Sequence, residues 1–347
     1  MKILDNFKNN WFLVGMVIAI LLATISADIG RSGGIIHLDK LTGIGVAIVF
    51  FLHGLGLSPS AIKSGISNWR MHIYIQLATF VIYPLLWVIF GDLLLTYMPA
   101  ALAFGFCYLL VLPSTVSSSV AMTSVAKGNV PAAIFNASLS TMLGVLITPL
   151  LIQLFMGLED AKLDLMTSII SITKLLLLPM IFGQILRPLL RSFIEKHKAI
   201  VNKVDKYVIL LIVYNAFCNS VANGIWHSFS IKMLVSSIII CVLLLLIMVN
   251  LVRWGSQQCQ FGLADEVTTV FCGTKKTLVA GIPMANAIFA NDPHLGMILL
   301  PVMLYHPIQI FYCAVLANRY AKRIDKIAED LQLQQNQLEI TKQQAQF

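Results

Sequence analysis

The sequence predicts an all-α polytopic membrane protein, and three observations support this fold class. Of the 347 residues, 58% are hydrophobic and only 12% are charged, a composition unlike that of a soluble globular domain. Apolar windows of about 20 residues, the length that crosses about 30 Å of hydrocarbon, recur along the chain. These windows are continuously apolar and do not alternate, which argues against transmembrane strands.

About ten spans follow one another along the chain. Their approximate limits are 11–26, 41–57, 73–95, 100–126, 132–156, 166–186, 207–223, 233–251, 267–289 and 295–317. The first run is long enough to be a full span and lacks a small-residue cleavage site, so no removed signal peptide is predicted. The six cysteines are scattered without a CxxC pair, which indicates small buried hydrophobic residues.

Lysines and arginines predict the orientation of the spans. If the N-terminus is cytoplasmic, the two tails and the even-numbered loops carry 17 of the 24 basic residues. Both termini are therefore predicted to be cytoplasmic. The net charge of +8 follows from this topology and from attraction to an anionic leaflet of the lipid bilayer, and no nucleic-acid partner is needed to explain it.

Two polar interruptions lie inside apolar spans. Residues 113–119 read PSTVSSS, and residues 272–277 read CGTKKT, with the adjacent lysines Lys275 and Lys276 at membrane depth. An ionisable residue inside a membrane is by default a functional-site hypothesis. Helices interrupted at corresponding places in two halves indicate the binding site of a secondary transporter.

The two halves of the chain show weak internal similarity. Aligning the interruptions brings Asn129 near Asn291 and Thr148 over His306. Each half, about 11–156 and about 166–317, then has five spans, so the second half enters the membrane from the opposite side. We expect a five-plus-five inverted repeat whose discontinuous fourth and ninth helices cross near mid-membrane. Residues 1–318 form the predicted transmembrane transporter domain, and residues 319–347 form a polar cytoplasmic tail.

Several segments resemble a known family. They are the run that begins LPS, at 112–129, PAAIFNASLSTMLGVLITPLL at 131–151 and, above all, FCGTKKTLVAGIPMANAIF at 271–289. These resemble the bile acid:sodium symporter superfamily (SBF-like), and most of all the branch typified by member 7 of solute carrier family 10 and its bacterial homologues. The resemblance covers residues 11–317. It implies a core domain with the crossed helices, a panel domain of the first, second, sixth and seventh spans, and a bacterial inner membrane location.

The sequence also departs from this family. Its sodium-coupled members have a glutamate and, four residues later, a glutamine on the ninth span, where this chain has Phe271 and Lys275. A phenyl ring cannot coordinate a hard cation, and an ammonium repels it. The third-span glutamine falls on Thr79, with Gln76 one turn earlier. One sodium site is therefore predicted to be absent, with the lysine charge in its place.

The resemblance implies a second ion site, and the two interruptions imply a substrate site beside it. The residues that could hold sodium are Ser118, Ser119, Asn136 and Ser140, and no other cofactor is predicted. The candidate substrate- and ion-binding residues are Thr115, Ser117, Ser118, Ser119, Asn136, Ser140, Thr274, Lys275, Lys276 and Thr277, with Gln76 and Thr79 as third-span contacts. The alternative is structural, because membrane serines bond to nearby carbonyls and buried lysines can pair with carbonyls of the opposite interrupted helix.

The predicted function is secondary active transport of a small organic anion by alternating access, because a lysine-bearing site selects against cations. Coupling to sodium or to protons and assembly into a homo-oligomer are both compatible with the sequence. The first alternative is a cation/proton antiporter of related fold, with Lys275 or Lys276 as a titrating carrier. A membrane sensor that binds a ligand without moving it is the second. No HExxH motif is present, and no enzyme is predicted.

Overall fold

The computed structural model describes residues 11–56, 68–156, 165–222, 224, 230–289, 292 and 294–344. Its regular structure is helical throughout these ranges, which confirms the all-α prediction for the described chain. The helices are α1 (Trp11–Ile25), α2 (Ala27–Gly30), α3 (Leu38–Gly56), α4 (Trp69–Leu77), α5 (Tyr83–Tyr97), α6 (Ala100–Val111), α7 (Ser117–Val125), α8 (Val130–Met156), α9 (Leu165–Ile172), α10 (Leu178–Lys196), α11 (Lys198–Ala222), α12 (Ile231–Gln258), α13 (Leu263–Gly273), α14 (Gly281–Ile288) and α15 (Leu295–Gln344). Two π-helical turns, Ala78–Ile82 and Thr173–Leu177, join α4 to α5 and α9 to α10.

Six helical segments are long and apolar enough to cross a membrane. They are Leu38–Gly56, Trp69–Tyr97, Val130–Met156, Met166–Leu190, Ile231–Gln258 and Leu295–Gln337. The prediction of a polytopic membrane protein is thereby confirmed. The fourth and ninth predicted spans are not among the six, because each is divided into two short helices, α6 with α7 and α13 with α14. The finer prediction of ten spans stays a prediction.

The outer surface of the helices is apolar. Side chains such as Leu21, Ile48, Val88, Leu150 and Leu243 are about half exposed on the described surface. A surface of this kind would be insoluble in water but is matched by lipid tails. The exposed aliphatic faces and the long apolar helices thus describe the same lipid-embedded body.

The helices pack in two groups. Helices α1, α2, α3, α10 and α11 pack mainly on one another and are called the panel group here. Helices α4 to α8 and α12 to α15 form the core group, and α9 contacts α8 and α14 of that group. A polar contact also joins the groups, because His53 Nε2 on α3 lies 3.0 Å from Ser117 Oγ on α7. On α9, Ser168 Oγ donates to the Ala287 carbonyl of the core group at 3.3 Å. The core and panel domains stay a prediction, and α9, the first part of the sixth predicted span, contacts the core group.

A reciprocal pair of glycines sets the closest crossing in the panel group. A Cβ atom added to Gly54 on α3 would overlap the carbonyl oxygen of Met180 on α10. A Cβ atom added to Gly183 on α10 would overlap the carbonyl oxygen of Phe51 on α3. Small residues let membrane helices approach until their backbones touch. This crossing therefore requires glycine on both helices.

The substitution Gly54→Ala is expected to lower the free energy of unfolding by about 3 kcal/mol, because the clash is with backbone and no side-chain rotation relieves it. Heating the detergent-solubilised protein and measuring the surviving monodisperse fraction by size-exclusion chromatography would show the loss. Gly43→Ala is the matched control, since it lies on the same helix with open space around it. Equal behaviour of the two variants would contradict the tight crossing.

Candidate functional site

The two interrupted helices meet at their non-helical segments. Break one comprises residues 112–116, between α6 and α7, and break two comprises residues 274–280, between α13 and α14. The Thr277 amide donates to the Pro113 carbonyl at 3.1 Å. The Ser114 hydroxyl donates to the Cys272 carbonyl at 2.6 Å. The sequence-predicted limits, 113–119 and 272–277, differ from these because residues 117–119 begin α7 and residues 272–273 end α13.

The end of α6 presents consecutive carbonyl groups that no helical amide can reach. Pro113 lacks an N–H group and disfavours helix at the residue before it, so the helix stops at Val111. Each carbonyl instead receives a donor from another element. The Leu110 and Leu112 carbonyls accept from Lys276 Nζ at 2.9 and 2.7 Å, and the Val111 carbonyl accepts from Thr148 Oγ1 at 2.8 Å.

A third carbonyl oxygen, from Thr79, completes the surroundings of Lys276. It accepts from Lys276 Nζ at 3.0 Å. In the π-helical turn the Tyr83 amide bonds to Ala78, one residue before Thr79. The next residue, Pro84, has no N–H to donate. The Thr79 carbonyl is thus left without an intrahelical donor, and the ammonium of Lys276, in break two, takes that role.

The environment of Lys276 is closed. Its side chain is 1% exposed, and its ammonium lies 4.0 Å from the centre of the Tyr83 ring, within cation–π range. Gln309 fixes the backbone of the same residue on both sides. Its Oε1 accepts from the Lys276 amide at 2.9 Å, and its Nε2 donates to the Lys276 carbonyl at 2.7 Å.

Lys275 points elsewhere. Its ammonium donates to the Ser118 carbonyl at 2.7 Å, in the first turn of α7. Among the described residues this carbonyl is its one hydrogen-bond acceptor, and the Phe271 ring lies 5.6 Å away. The side chain has 0% exposure. Because the backbone is unwound at break two, the adjacent lysines reach different elements, one the start of α7 and the other the end of α6.

Hydroxyl groups cover the carbonyls at the end of α13. Ser119 Oγ donates to the Phe271 carbonyl at 3.1 Å, next to the bond from Ser114 to Cys272. The Thr274 carbonyl accepts from the hydroxyls of Tyr83 and Tyr305, the latter at 3.1 Å. Hydroxyls of break one, α5, α7 and α15 therefore cap the end of α13, while break two caps the end of α6 with an ammonium and an amide. The sequence reasoning did not single out Tyr83, Tyr305 or Gln309.

The remaining predicted site residues fall into separate clusters. Thr115 Oγ1 lies 2.8 Å from both Ser118 Oγ and Ser119 Oγ, Ser117 lies on the exposed side of α7, and Ser140 Oγ accepts from the Ser114 amide at 2.9 Å. Thr277 Oγ1 accepts from the Ala280 amide at 3.2 Å, and Thr274 Oγ1 donates to the Val270 carbonyl at 2.6 Å. Of these side chains, Thr274 and Thr277 bond to nearby backbone, as the structural alternative expects, whereas Thr115, Ser118 and Ser119 bond to one another.

Asn136 belongs to a second polar cluster. Its Nδ2 lies 2.7 Å from His72 Nδ1, and its Oδ1 accepts from Gln76 Nε2 at 3.3 Å. Thr79 Oγ1 bonds back to the Ile75 carbonyl at 2.9 Å. Thus Thr79 contributes its carbonyl to the site, and Gln76 reaches α8. The structure does not bring Asn136 into hydrogen-bond contact with Ser118, Ser119 or Ser140, the other members of the predicted sodium set.

Two carboxylates at the start of α13 tie the core group together. Asp265 accepts from Asn68 Nδ2 at 2.6 Å and from Asn129 Nδ2 at 2.9 Å. Glu266, 5% exposed, accepts from Tyr320 on α15 at 2.9 Å and lies 3.4 Å from Arg253 Nε. These side chains therefore link helices instead of capping their own. A second ion pair, Lys127 with Asp325, joins the end of α7 to α15.

The fold and the meeting of two interrupted helices around buried lysines define the class: an integral membrane transporter. The chain belongs to the SBF-like CPA transporter family, whose sequence profile matches residues 10–322. It is 40% identical over 320 residues to an uncharacterized protein of Pseudomonas aeruginosa, covering 92% of this chain and 95% of the relative. It is 39% identical over 324 residues to "Putative symporter YfeH" of Escherichia coli (93% and 95% covered) and 33% identical over 320 residues to sodium/bile acid cotransporter 7 of Mus musculus (91% and 94% covered).

Proposed function

We propose that this protein is a secondary active transporter that moves a small organic anion by alternating access. The ten spans would form a five-plus-five inverted repeat, residues 1–318 would form the transport domain, and the core group would move against the panel group. The names of the Escherichia coli and mouse relatives, a symporter and a sodium/bile acid cotransporter, support transport coupled to an ion. The location would be a bacterial inner membrane, as the family resemblance implies, with both termini cytoplasmic, as the basic residues favour.

The observation that carries the anion proposal is the position of Lys275. Its ammonium lies at the N-terminal turn of α7, where the helix dipole adds positive potential. The hydroxyls of Thr115 and Ser118 are at the same turn, and Ser117 beside them is exposed. One carboxylate or similar anion could accept from the ammonium and from these hydroxyls together. Because Lys275 is fully buried, an anion reaches it only after the helices around it separate.

The contact between the two helix groups lies beside this position. His53 of α3 lies against Ser117 of α7, next to Ser118, whose carbonyl holds Lys275. Movement of the panel group away from α7 would break the His53–Ser117 contact and expose the first turn of α7. Closure of this contact on one side and opening on the other is the simplest physical form of alternating access.

The coupling ion is proposed to be sodium or a proton. Sodium would bind at Ser118, Ser119, Asn136 and Ser140, whose neutral oxygens suit a hard cation of single charge. Each of these side chains already has a hydrogen-bond partner, so binding would require Ser118 and Ser119 to exchange their contact with Thr115. An antiporter with Lys276 as the titrating carrier fits less well, because loss of its charge would weaken its hydrogen bonds to three buried carbonyls.

Flux into proteoliposomes tests this function. Candidate organic anions would first be screened by the thermal stabilisation that a bound ligand gives the purified protein. Uptake of a stabilising anion would then be measured with an inward sodium gradient, with a proton gradient and with neither. We expect gradient-driven accumulation of the anion. Stabilisation without flux would identify a sensor, and sodium-driven change of internal pH without any anion would identify an antiporter.

A further inference from the structure

We propose that the ammonium of Lys276 permanently occupies a monovalent-cation site, and that removing this side chain uncovers a site that sodium can fill. The site is formed by the carbonyl oxygens of Thr79, Leu110 and Leu112, which are called the carbonyl cage here. The inference goes beyond the proposed transport function, because cation binding to the uncovered cage requires no flux. It assigns Lys276 a role different from that of an anion receptor.

The geometry of the cage is that of a cation site. Its three oxygens surround the ammonium at 3.0, 2.9 and 2.7 Å, so each of the three N–H donors has one acceptor. The face of the Tyr83 ring closes the site at 4.0 Å from the nitrogen, with its negative π surface towards the charge. All these groups are neutral and suit a single positive charge. Carbonyl oxygens are also the ligands that hard cations take from proteins.

The cage is built by elements that do not depend on the lysine. Pro113 ends α6 and leaves the Leu110 and Leu112 carbonyls facing outward, at the negative end of the helix dipole. The π-helical turn together with Pro84 leaves the Thr79 carbonyl free of a helical donor. Thr148 holds the Val111 carbonyl between them. The three oxygens would therefore stay close together in the absence of the ammonium.

The same contacts exclude Lys276 as a receptor for an anionic substrate. Its three donors are used by protein carbonyls, its side chain is 1% exposed, and Gln309 holds its amide and carbonyl. An anion could bind it only by displacing three buried carbonyls that would then lack donors. The Lys276 ammonium thus fills the carbonyl cage, where a transporter could otherwise bind a cation from solution. A fixed charge at the cage would then stand in place of a coupling ion that binds and leaves.

Sodium rescue of the variant Lys276→Ala tests the proposal. The substitution opens the space of the side chain and leaves the cage without a cation. We expect Lys276→Ala, expressed and purified in sodium chloride, to lose stability when the salt is replaced by choline chloride at equal ionic strength. Returning sodium should raise its melting temperature saturably, by about 5 °C at concentrations well above the dissociation constant. The parent protein has a filled cage, so it should show no more than the shift from sodium at Ser118, Ser119, Asn136 and Ser140, which the variants would share.

Two further variants distinguish a cation site from a general salt effect. Lys276→Met leaves the cage without a cation but fills the space with a side chain of similar length, so it should be destabilised without sodium rescue. Lys275→Ala removes the neighbouring ammonium and should not acquire the response either. A sodium shift equal in all four proteins, or none in Lys276→Ala, would overturn the proposal. Failure to recover folded Lys276→Ala at any sodium concentration would also overturn it, because a filled cage should restore the fold.

Discussion

Crosslinking position 53 to position 117 is expected to abolish transport. His53→Cys and Ser117→Cys place thiols on α3 of the panel group and α7 of the core group, whose native side chains lie 3.0 Å apart. A reducible bis-methanethiosulfonate would join the two groups across this contact. If alternating access moves the core group against the panel group, the joined protein should show no anion flux in proteoliposomes. Dithiothreitol should restore the flux that the unlinked double variant shows.

The native cysteines should interfere little with the crosslinking experiment. Five of the six are buried, and Cys259 alone has intermediate exposure, so the pair would be introduced into a Cys259→Ser background. Each single-cysteine variant treated with the same reagent controls for simple modification of the site. Full flux in a preparation that is quantitatively crosslinked would refute movement between α3 and α7.

The second large effect is expected at Lys275. Lys275→Met should reduce the affinity for a stabilising organic anion by about ten- to a hundredfold, because a hydrogen bond to a charged group contributes about 1.5–3 kcal/mol. Folding should change less than in Lys276→Met, since among the described residues Lys275 has one carbonyl acceptor and Lys276 has three. Isothermal titration calorimetry of the anion would measure its affinity, and thermal unfolding of both variants would measure the change in folding.

Changes of charge at the same position sharpen this test. Lys275→Gln and Lys275→Glu should alter the ion dependence of transport, because a neutral or negative group would then lie at the first turn of α7 beside the hydroxyls of Thr115 and Ser118. Lys275→Glu in particular should weaken binding of the anion and increase the stimulation of transport by sodium. Identical anion affinity and identical sodium response in the parent and all three Lys275 variants would assign Lys275 a purely structural charge.

Local sequence patterns predicted where the long helices are interrupted. Pro113 ends α6 in the structure as the chemistry of proline requires, and the polar run containing Lys275 and Lys276 lies in the second non-helical segment. The limits were less accurate. The polar run at 113–119 extends past the break, so its last three residues, beginning with Ser117, belong to α7. Break two extends to Ala280 through apolar residues, which give no sequence signal of a break.

The sequence allowed the alternative that the lysines pair with carbonyls of the opposite interrupted helix, but it could not predict which carbonyls, or the other partners, because these come from distant parts of the chain. Gln309 is 33 residues from Lys276, and the Thr79 carbonyl is 197 residues away. The sequence did contain one signal for the Thr79 carbonyl. Pro84 lies five residues after Thr79, and because proline has no N–H group, a π-helical turn would leave this carbonyl without a donor. Only the fold shows that Lys276 and not Lys275 meets that carbonyl. The roles of both lysines in ion and anion binding stay predictions.

Helix α15 is long enough to report rotations of the core group. Its 50 residues would measure about 75 Å, more than twice the hydrocarbon thickness of a bilayer. Two contacts hold α15 to both interrupted helices: Tyr320 bonds to Glu266 on α13, and Asp325 pairs with Lys127 after α7. Beyond Asp325 the described helix continues to Gln344. A probe placed near its tip would therefore enlarge small rotations of the core group into displacements that spectroscopic distance measurements can follow.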